Sequence, residues 1–293
     1  MKLLKKSEMP ADYDLVVFGD NQAGNTLSHV DGYQDCLDFI MSAPRTIPRY
    51  AVHMGDLCEG YFIDDPRYSP EILKASPNEC YKDQGRLLLP LVKKQRLLTI
   101  LLGNQDFKLL RTWGNPIRDL CEQLREKAGS KAKWPQYGAF ACKIEFADKH
   151  GLQFKGYFTH GKKPIGSVAE DPITQLANMH RQLKRLLYKK AGDALLMGRA
   201  HTHKLLVAAP QPLLYMTTTK DGKLKQRYTQ PLSADYIGPE LRFYASTGSF
   251  LKGQGEGDLV SYVEAADYDP VELGFIVAEV RDRKLQNVRK VVL

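Results

Sequence analysis

The 293-residue chain has no Cys-x-x-Cys pair, no long apolar run and no extended Pro/Gly/Ser-rich linker. Its five cysteines, Cys36, Cys58, Cys80, Cys121 and Cys142, are odd in number and widely spaced, which argues against a disulfide framework and a zinc ribbon. The longest apolar stretches, residues 87–92 and 97–102, fall far short of the roughly 18 residues that cross a bilayer. The basic start, Met1 to Lys6, lacks the apolar segment of about 7–15 residues that drives secretion. There is no G-x-x-x-x-G-K-S/T phosphate loop, and Gly253, Gly255 and Gly257 lack the strand-to-helix context of a dinucleotide fingerprint. No repeat or low-complexity tract divides the chain. One domain spanning residues 1–293 is therefore expected, reduced and cytoplasmic, with no membrane contact.

What the chain does have is 43% hydrophobic and 26% charged residues, the balance of a globular protein with a buried core. Forty-two Lys and Arg against 34 Asp and Glu leave a net charge of +8, which favours anionic partners. Phosphate esters and nucleic acid both qualify.

Short β-branched or Leu-rich runs alternate with amphipathic stretches, the rhythm of an α/β protein. Residues 13–18, 50–54, 97–102, 152–159 and 194–197 read as strands, and each is followed by Gly-Asp, Gly-Asn or His-containing turns. Leu27, Val30, Leu37 and Ile40 fall at helical spacing. Residues 60–82, rich in Pro, Tyr and Asp, read as a long loop. Residues 172–190 form a basic amphipathic helix, with Ile173, Leu176, Leu183 and Leu187 on one face and Arg181, Lys184, Arg185, Lys189 and Lys190 around it. A solvated helix face is the commoner explanation of such a charge run; a track for a nucleic-acid backbone is the other. From Lys204 onward, strand-like runs and an Asp221-Gly222 turn suggest a hairpin and a second sheet.

Open α/β sheets bind ligands at the carboxyl ends of their strands, and here those ends carry Asp20, Asp56, Asn104, His160, His201 and His203. Taken singly, each has an ordinary structural explanation, a helix cap for an Asp or a packed ring for a His. Taken together they deliver oxygen and nitrogen donors suited to divalent cations.

In order, the segments Gly19-Asp20-Asn21-Gln22, Gly55-Asp56-Leu57-Cys58-Glu59, Gly103-Asn104-Gln105-Asp106, His160-Gly161 and Ala200-His201-Thr202-His203 resemble the signature of the calcineurin-like metallophosphoesterase family, over about residues 14–203. Residues 246–250 and 261–264 look like the C-terminal segment of some phage-encoded members. The resemblance implies an α/β fold, a two-sheet β-sandwich flanked by helices in α/β/β/α order. It also implies hydrolysis of phosphomonoesters or phosphodiesters by a water held between two divalent ions, Mn, Mg, Fe or Zn. Asp56 would bridge the pair, with Asp20 and His203 on one ion and Asn104, His160 and His201 on the other.

Two positions depart from the family pattern. Gln22 stands where the first motif has His; its amide oxygen is a harder, weaker donor, which biases that ion toward Mn or Mg, or else it bonds only a water on the ion. Gln105 stands where the third motif has its catalytic His, and it cannot protonate a leaving group at neutral pH. Asp106 then loses the task of orienting that His and is expected to cap the helix ahead of Phe107. The residues leave three readings open: a phosphoesterase of small esters, a nuclease of the same family, and a non-catalytic metal- or phosphate-binding module. His53 reads as a packed strand residue, His29 and His150 as surface groups and His180 as partly buried; Glu59 could bond a ligand or line the loop.

Overall fold

The computed structural model describes residues 1–60, 76–230, 235–255, 262–265, 267 and 270–293. In chain order the strands are β1 (Lys2–Lys6), β2 (Tyr13–Phe18), β3 (Arg49–His53), β4 (Leu97–Ile100), β5 (Gln136–Tyr137), β6 (Ala141–Asp148), β7 (Gly151–Thr159) and β8 (Leu196–Arg199). They continue with β9 (Leu205–Ala208), β10 (Leu214–Thr218), β11 (Leu224–Tyr228), β12 (Phe243–Thr247), β13 (Gly274–Arg281) and β14 (Lys284–Val292). The helices are α1 (Val30–Met41), α2 (Pro77–Lys93), α3 (Asn104–Lys108), α4 (Leu110–Trp113), α5 (Pro116–Ala128), α6 (Pro172–Leu187) and α7 (Tyr262–Ala265).

Two six-stranded mixed sheets stack face to face, one in the order β14-β13-β2-β3-β4-β5 and the other β1-β6-β7-β8-β12-β9. Strand β2 shows why they stack. All six of its residues are buried, so it reads as a continuous apolar run rather than an alternating one. Its side chains nonetheless alternate between two cores. Leu15 and Val17 meet Ile144, Phe146, Phe158 and Leu196 in the core between the sheets. Val16 and Phe18 point the other way, into a core shared with Leu37, Ile40, Leu88, Leu91, Leu120 and Leu124 of α1, α2 and α5. The outer face of the second sheet is covered by α6 through Leu183 and Leu187, against Tyr157, Met197 and Tyr244. The layers thus run helix, sheet, sheet, helix, the α/β two-sheet sandwich the sequence leads one to expect. Each fully buried Leu, Val or Phe contributes about 1.5–3 kcal/mol to holding them together.

Strands β2, β3 and β4 are mutually parallel, as are β7, β8 and β12. Their carboxyl ends, and the turns that follow them, are what position the site.

Several local expectations need correcting. Residues 77–82 are helical, not loop: Ser76 accepts from the Glu79 N–H while the Glu79 carboxylate accepts from Ser76, and Pro77 occupies the first turn. This capping box outweighs the turn-like composition that dominates the sequence there; residues 61–75 of that segment lie outside the described residues. Leu27 precedes α1, and the basic helix stops at Leu187 with Tyr188 as its cap. Of the last third, only the expected hairpin, β10–β11, forms a sheet of its own. Strand β12 inserts between β8 and β9, while β13 pairs antiparallel with β2, so the chain's end completes both existing sheets. His29 is not a free surface group but the N-cap of α1, its Nδ1 accepting from the Gly32 N–H at 2.8 Å. Gly257 and Ser261 lie outside the described residues. All five cysteines are buried and none forms a disulfide, and no helix among the described residues is long and apolar enough to cross a membrane.

The β10–β11 ribbon is built around the Asp221-Gly222 turn and stands off the sandwich, with Leu214, Met216, Leu224 and Tyr228 exposed. Isolated two-stranded ribbons are marginal in water. Native-state hydrogen exchange is expected to show β10 and β11 amides exchanging through local opening, while β2 and β13 exchange only with global unfolding. Equal protection of the two pairs would contradict this layering.

Candidate metal centre

Asp20 follows β2, Asp56 follows β3 by way of Met54 and Gly55, and Asn104 opens α3 after β4. From the other sheet, His160 follows β7, and His201 and His203 follow β8. The chain must turn sharply at these strand ends to aim side chains across the sheet edge. Asp20, Gln22, Asp56, His201 and His203 all adopt left-handed backbone, with φ of 55°, 43°, 49°, 74° and 50°. They make up five of the ten non-glycine residues with positive φ among the described residues. Each costs on the order of 1–3 kcal/mol, strain that surrounding contacts must offset and that clusters at functional sites.

The turns lock to one another through the backbone: Asp20 N donates to Gly55 O and Gln22 N to Asp56 O, both at 3.0 Å. Only glycine fits where the β3 and β4 turns meet. A Cβ on Gly55 (φ 97°) would lie 2.5 Å from Gly103 N, and one on Gly103 would lie 2.0 Å from Asp56 Oδ1.

The side chains converge in two groups. In one, His160 Nε2 lies 2.9 Å from Asn104 Oδ1 and 3.3 Å from Asp56 Oδ2, and His201 Nδ1 lies 2.5 Å from Asn104 Oδ1. Donor atoms of Asp56, His160 and His201 all sit within 4.8 Å of one another, the spacing of a cation's ligand set. In the other, His203 Nε2 lies 3.8 Å from Asp20 Oδ1, while Asp20 Oδ2 accepts from His201 N at 3.0 Å. A ring nitrogen beside a carbonyl can only donate to it, so His160 Nδ1, 2.9 Å from Met54 O, carries a proton. That contact fixes the ring with Nε2 facing Asp56, the arrangement of a metal-ligating imidazole. With its amide turned over, Asn104 donates to His201 Nδ1 and to Asp56 Oδ2 at 3.2 Å; with Oδ1 inward it adds an oxygen ligand.

Three buried oxygens test whether cations fit. Asp20 Oδ1, Gln22 Oε1 and Gln105 Oε1 have no hydrogen-bond partner among the described residues. Each unmet acceptor costs about 1–3 kcal/mol. All three are lone-pair donors, the kind of oxygen a divalent cation takes as a ligand, and with the Asp56, His160 and His201 group they are compatible with one.

The electrostatics agree. Burial lifts Asp20 to about 7, opposed by the His160 imidazole and assisted by the Asp56 carboxylate. At Asp56 burial also pushes up, but His160 and the Gln105 N–H prevail and hold the carboxyl below its usual range. Burial would depress His160, yet the carboxylates of Asp56 and Asp20 outweigh it and raise the imidazole to about 9. His201 and His203 are held down to about 4, chiefly by burial.

Around these groups lies a supporting layer. Asp106 Oδ2 accepts from both Asp56 N and Gly103 N at 2.9 Å, and its Oδ1 accepts from Tyr81 Oη at 2.6 Å. The expected cap is therefore present, and the same carboxylate also pins the Asp56 turn. Gln105 places its N–H 2.8 Å from Asp56 Oδ1, which leaves Oδ2 to face the imidazoles. His53 is packed, not a ligand among the described contacts: its Nδ1 accepts from Gly55 N, and its Nε2 meets Asn21 Oδ1 at 3.0 Å, with burial depressing it to about 3. Asn21 in turn donates to Gln84 Oε1, and Asn25 donates to Glu59 Oε2. Tyr81, Gln84, Asn21 and Ser249, whose hydroxyl donates to Asp20 O at 3.0 Å, escaped the sequence reading. A Ser-Pro-x-Glu helix start at Ser76 was the signal that could have placed Tyr81 and Gln84.

No family model matches the chain, and no curated protein matches it.

Replacing Asp106 by Ala strands two backbone donors and the Tyr81 hydroxyl. Urea unfolding in the presence of chelator is expected to show a loss of about 2–4 kcal/mol, with Tyr81→Phe costing about half as much. An unchanged midpoint in Asp106→Ala would remove Asp106 from this role.

Proposed function

We propose that the chain is a metal-dependent phosphoesterase that hydrolyses phosphomonoesters or phosphodiesters. The observation that carries this reading is the convergence of Asp20, Asp56, Asn104, His160, His201 and His203 from two sheets onto one edge, with three acceptor oxygens left unmet there. Asp56 would be shared between two ions, with Asp20, His203 and Gln22 toward one and Asn104, His160 and His201 toward the other. Mn or Mg suits a set that includes amide oxygens. Such a pair supplies a water of lowered pKa and neutralises charge on the phosphoryl oxygens. The mostly neutral His and Asn donors limit the site's negative charge, so that an anionic ester is admitted.

The protein's own work is positional. His160 is oriented by Met54 O, and Asp56 by Asp106 and Gln105. Gln105 has no proton to give a departing alkoxide, so esters with good leaving groups are the favoured substrates. A positioned acid contributes about 10²- to 10⁴-fold. Gln105→His is therefore expected to raise turnover of an alkyl ester about 10²-fold more than that of an aryl ester. An unchanged ratio would contradict the assignment. Metal analysis with an aryl ester assay tests the reading as a whole: bound metal with turnover that chelator abolishes supports it, whereas neither metal nor turnover leaves a binding module.

Metal uptake should also move protons in a defined direction. At pH 7 His160, raised to about 9, is charged, Asp20 at about 7 is half protonated, and His201 and His203 at about 4 are already neutral. Ligation expels the first two protons, so calorimetry with Mn²⁺ in buffers of different ionisation enthalpy is expected to register between about one and two protons released at pH 7. Affinity then rises with pH and levels off above about 9. A pH-independent affinity would contradict this.

A further inference from the structure

A cavity of about 670 Å³ opens beside the proposed centre, and His201 and His203 form part of its wall. Its volume lies within the range of small-molecule sites, about 300–1,000 Å³. Pro164, Ile165, Val263 and Val271 give the lining an aliphatic part beside the polar Ser167, Gln182 and Thr202, and no carboxylate lines it among the described residues. Lys204 contributes the cavity's cationic side chain. The aliphatic part of the lining is hospitable to an organic group with an apolar face.

The wall contributed by the segment after His160 is preformed. Polar residues one helical turn apart on α6 latch it. Gln182 pairs with Gly166 in both directions, Nε2 to O at 2.6 Å and N to Oε1 at 3.2 Å. Asn178 Nδ2 donates to Ser167 Oγ at 3.1 Å, and Gln175 Nε2 to Ala169 O at 2.7 Å. Arg199, at the end of β8 and only 2% exposed, donates to Lys163 O from the other side. A segment tied at 163, 166, 167 and 169 holds Ile165, itself 4% exposed, in a fixed place. Preformed walls spare a ligand the cost of ordering them.

We infer that this cavity is the site's leaving-group pocket and selects phosphoesters of a compact, apolar-faced aryl or similarly acidic alcohol, in preference to the smallest alkyl esters. The inference rests on the phosphoesterase reading and adds the substrate class to it. His201 and His203 line the same cavity as the aliphatic residues, so an ester bound at the proposed centre would have its organic substituent within reach of them.

Two inert phosphonates separate the pocket from the metal site. Phenylphosphonate carries an apolar ring, methylphosphonate almost nothing beyond the anion, and both are titrated calorimetrically into the full chain supplied with Mn²⁺. Burying the ring is expected to give phenylphosphonate at least about 10-fold tighter binding. Val271→Asp, which puts a carboxylate on the wall, should erase that preference, read as the ratio of the two phosphonate affinities. Val271→Ala, a milder change, should reduce the preference about 2- to 3-fold and keeps the test open if the Asp variant misfolds. Equal binding of the two phosphonates by the unaltered chain overturns the pocket assignment and leaves the phosphoesterase reading standing. Failure of both to bind overturns the two together.

Discussion

A single buried carboxylate organises this molecule's working edge. Asp56 is nearly water-free, and its position is fixed from three directions: its own N–H donates to Asp106, its Oδ1 takes the Gln105 N–H, and its Oδ2 faces His160. Isolated charge of this kind is expensive to bury, and it persists only where positive or proton-donating groups surround it. His160 answers that need in the bare cluster by holding a proton well above its ordinary range. In the reading we propose, a cation takes that role; the oxygens of Asp20, Gln22 and Gln105 that lack hydrogen-bond partners among the described residues are further candidate ligands.

The fold follows from what it takes to assemble such a cluster. Two sheets, packed through Leu15, Val17, Phe146 and Phe158, bring the ends of β2, β3 and β4 opposite the ends of β7 and β8. Five side chains at those ends then turn inward on left-handed backbone, and two glycines allow the turns to approach within contact distance. Strain and burial of this order oppose stability. They are offset by apolar cores on both faces of β2 and by a dense set of backbone bonds among the turns.

Much of this was legible in the sequence. Strand ends followed by Gly-Asp, Gly-Asn and His are local patterns, and local patterns survive folding; hence Asp20, Asp56, Asn104, His160, His201 and His203 were found and do converge. The α/β/β/α layering was reached through resemblance, and the two-sided burial of β2 is its physical basis. What stayed hidden depends on partners distant in the chain. Tyr81 matters because its hydroxyl meets Asp106, 25 residues away, and nothing near Tyr81 announces it. The helical start at Pro77 was masked by a composition typical of loops. His29 looked like a solvated histidine because capping is a geometric property of the turn that follows. The hairpin at Asp221-Gly222 was read from its turn, but the strands after it join the two large sheets through pairings, such as β13 with β2, that span nearly the whole chain.

The Gln residues give the site its particular character. Gln22 and Gln105 offer amide oxygens where the resembled family has imidazoles, and a partly aliphatic cavity is lined by His201 and His203. In the phosphoesterase reading we propose, such a set would suit hard cations and esters whose alcohol leaves unaided. The most direct measurement is anomalous diffraction at the Mn edge from crystals grown with Mn²⁺. Two peaks about 3.5–4 Å apart with Asp56 between them would bear the assignment out; well-ordered crystals with no peak in reach of Asp56 and His160 would contradict it.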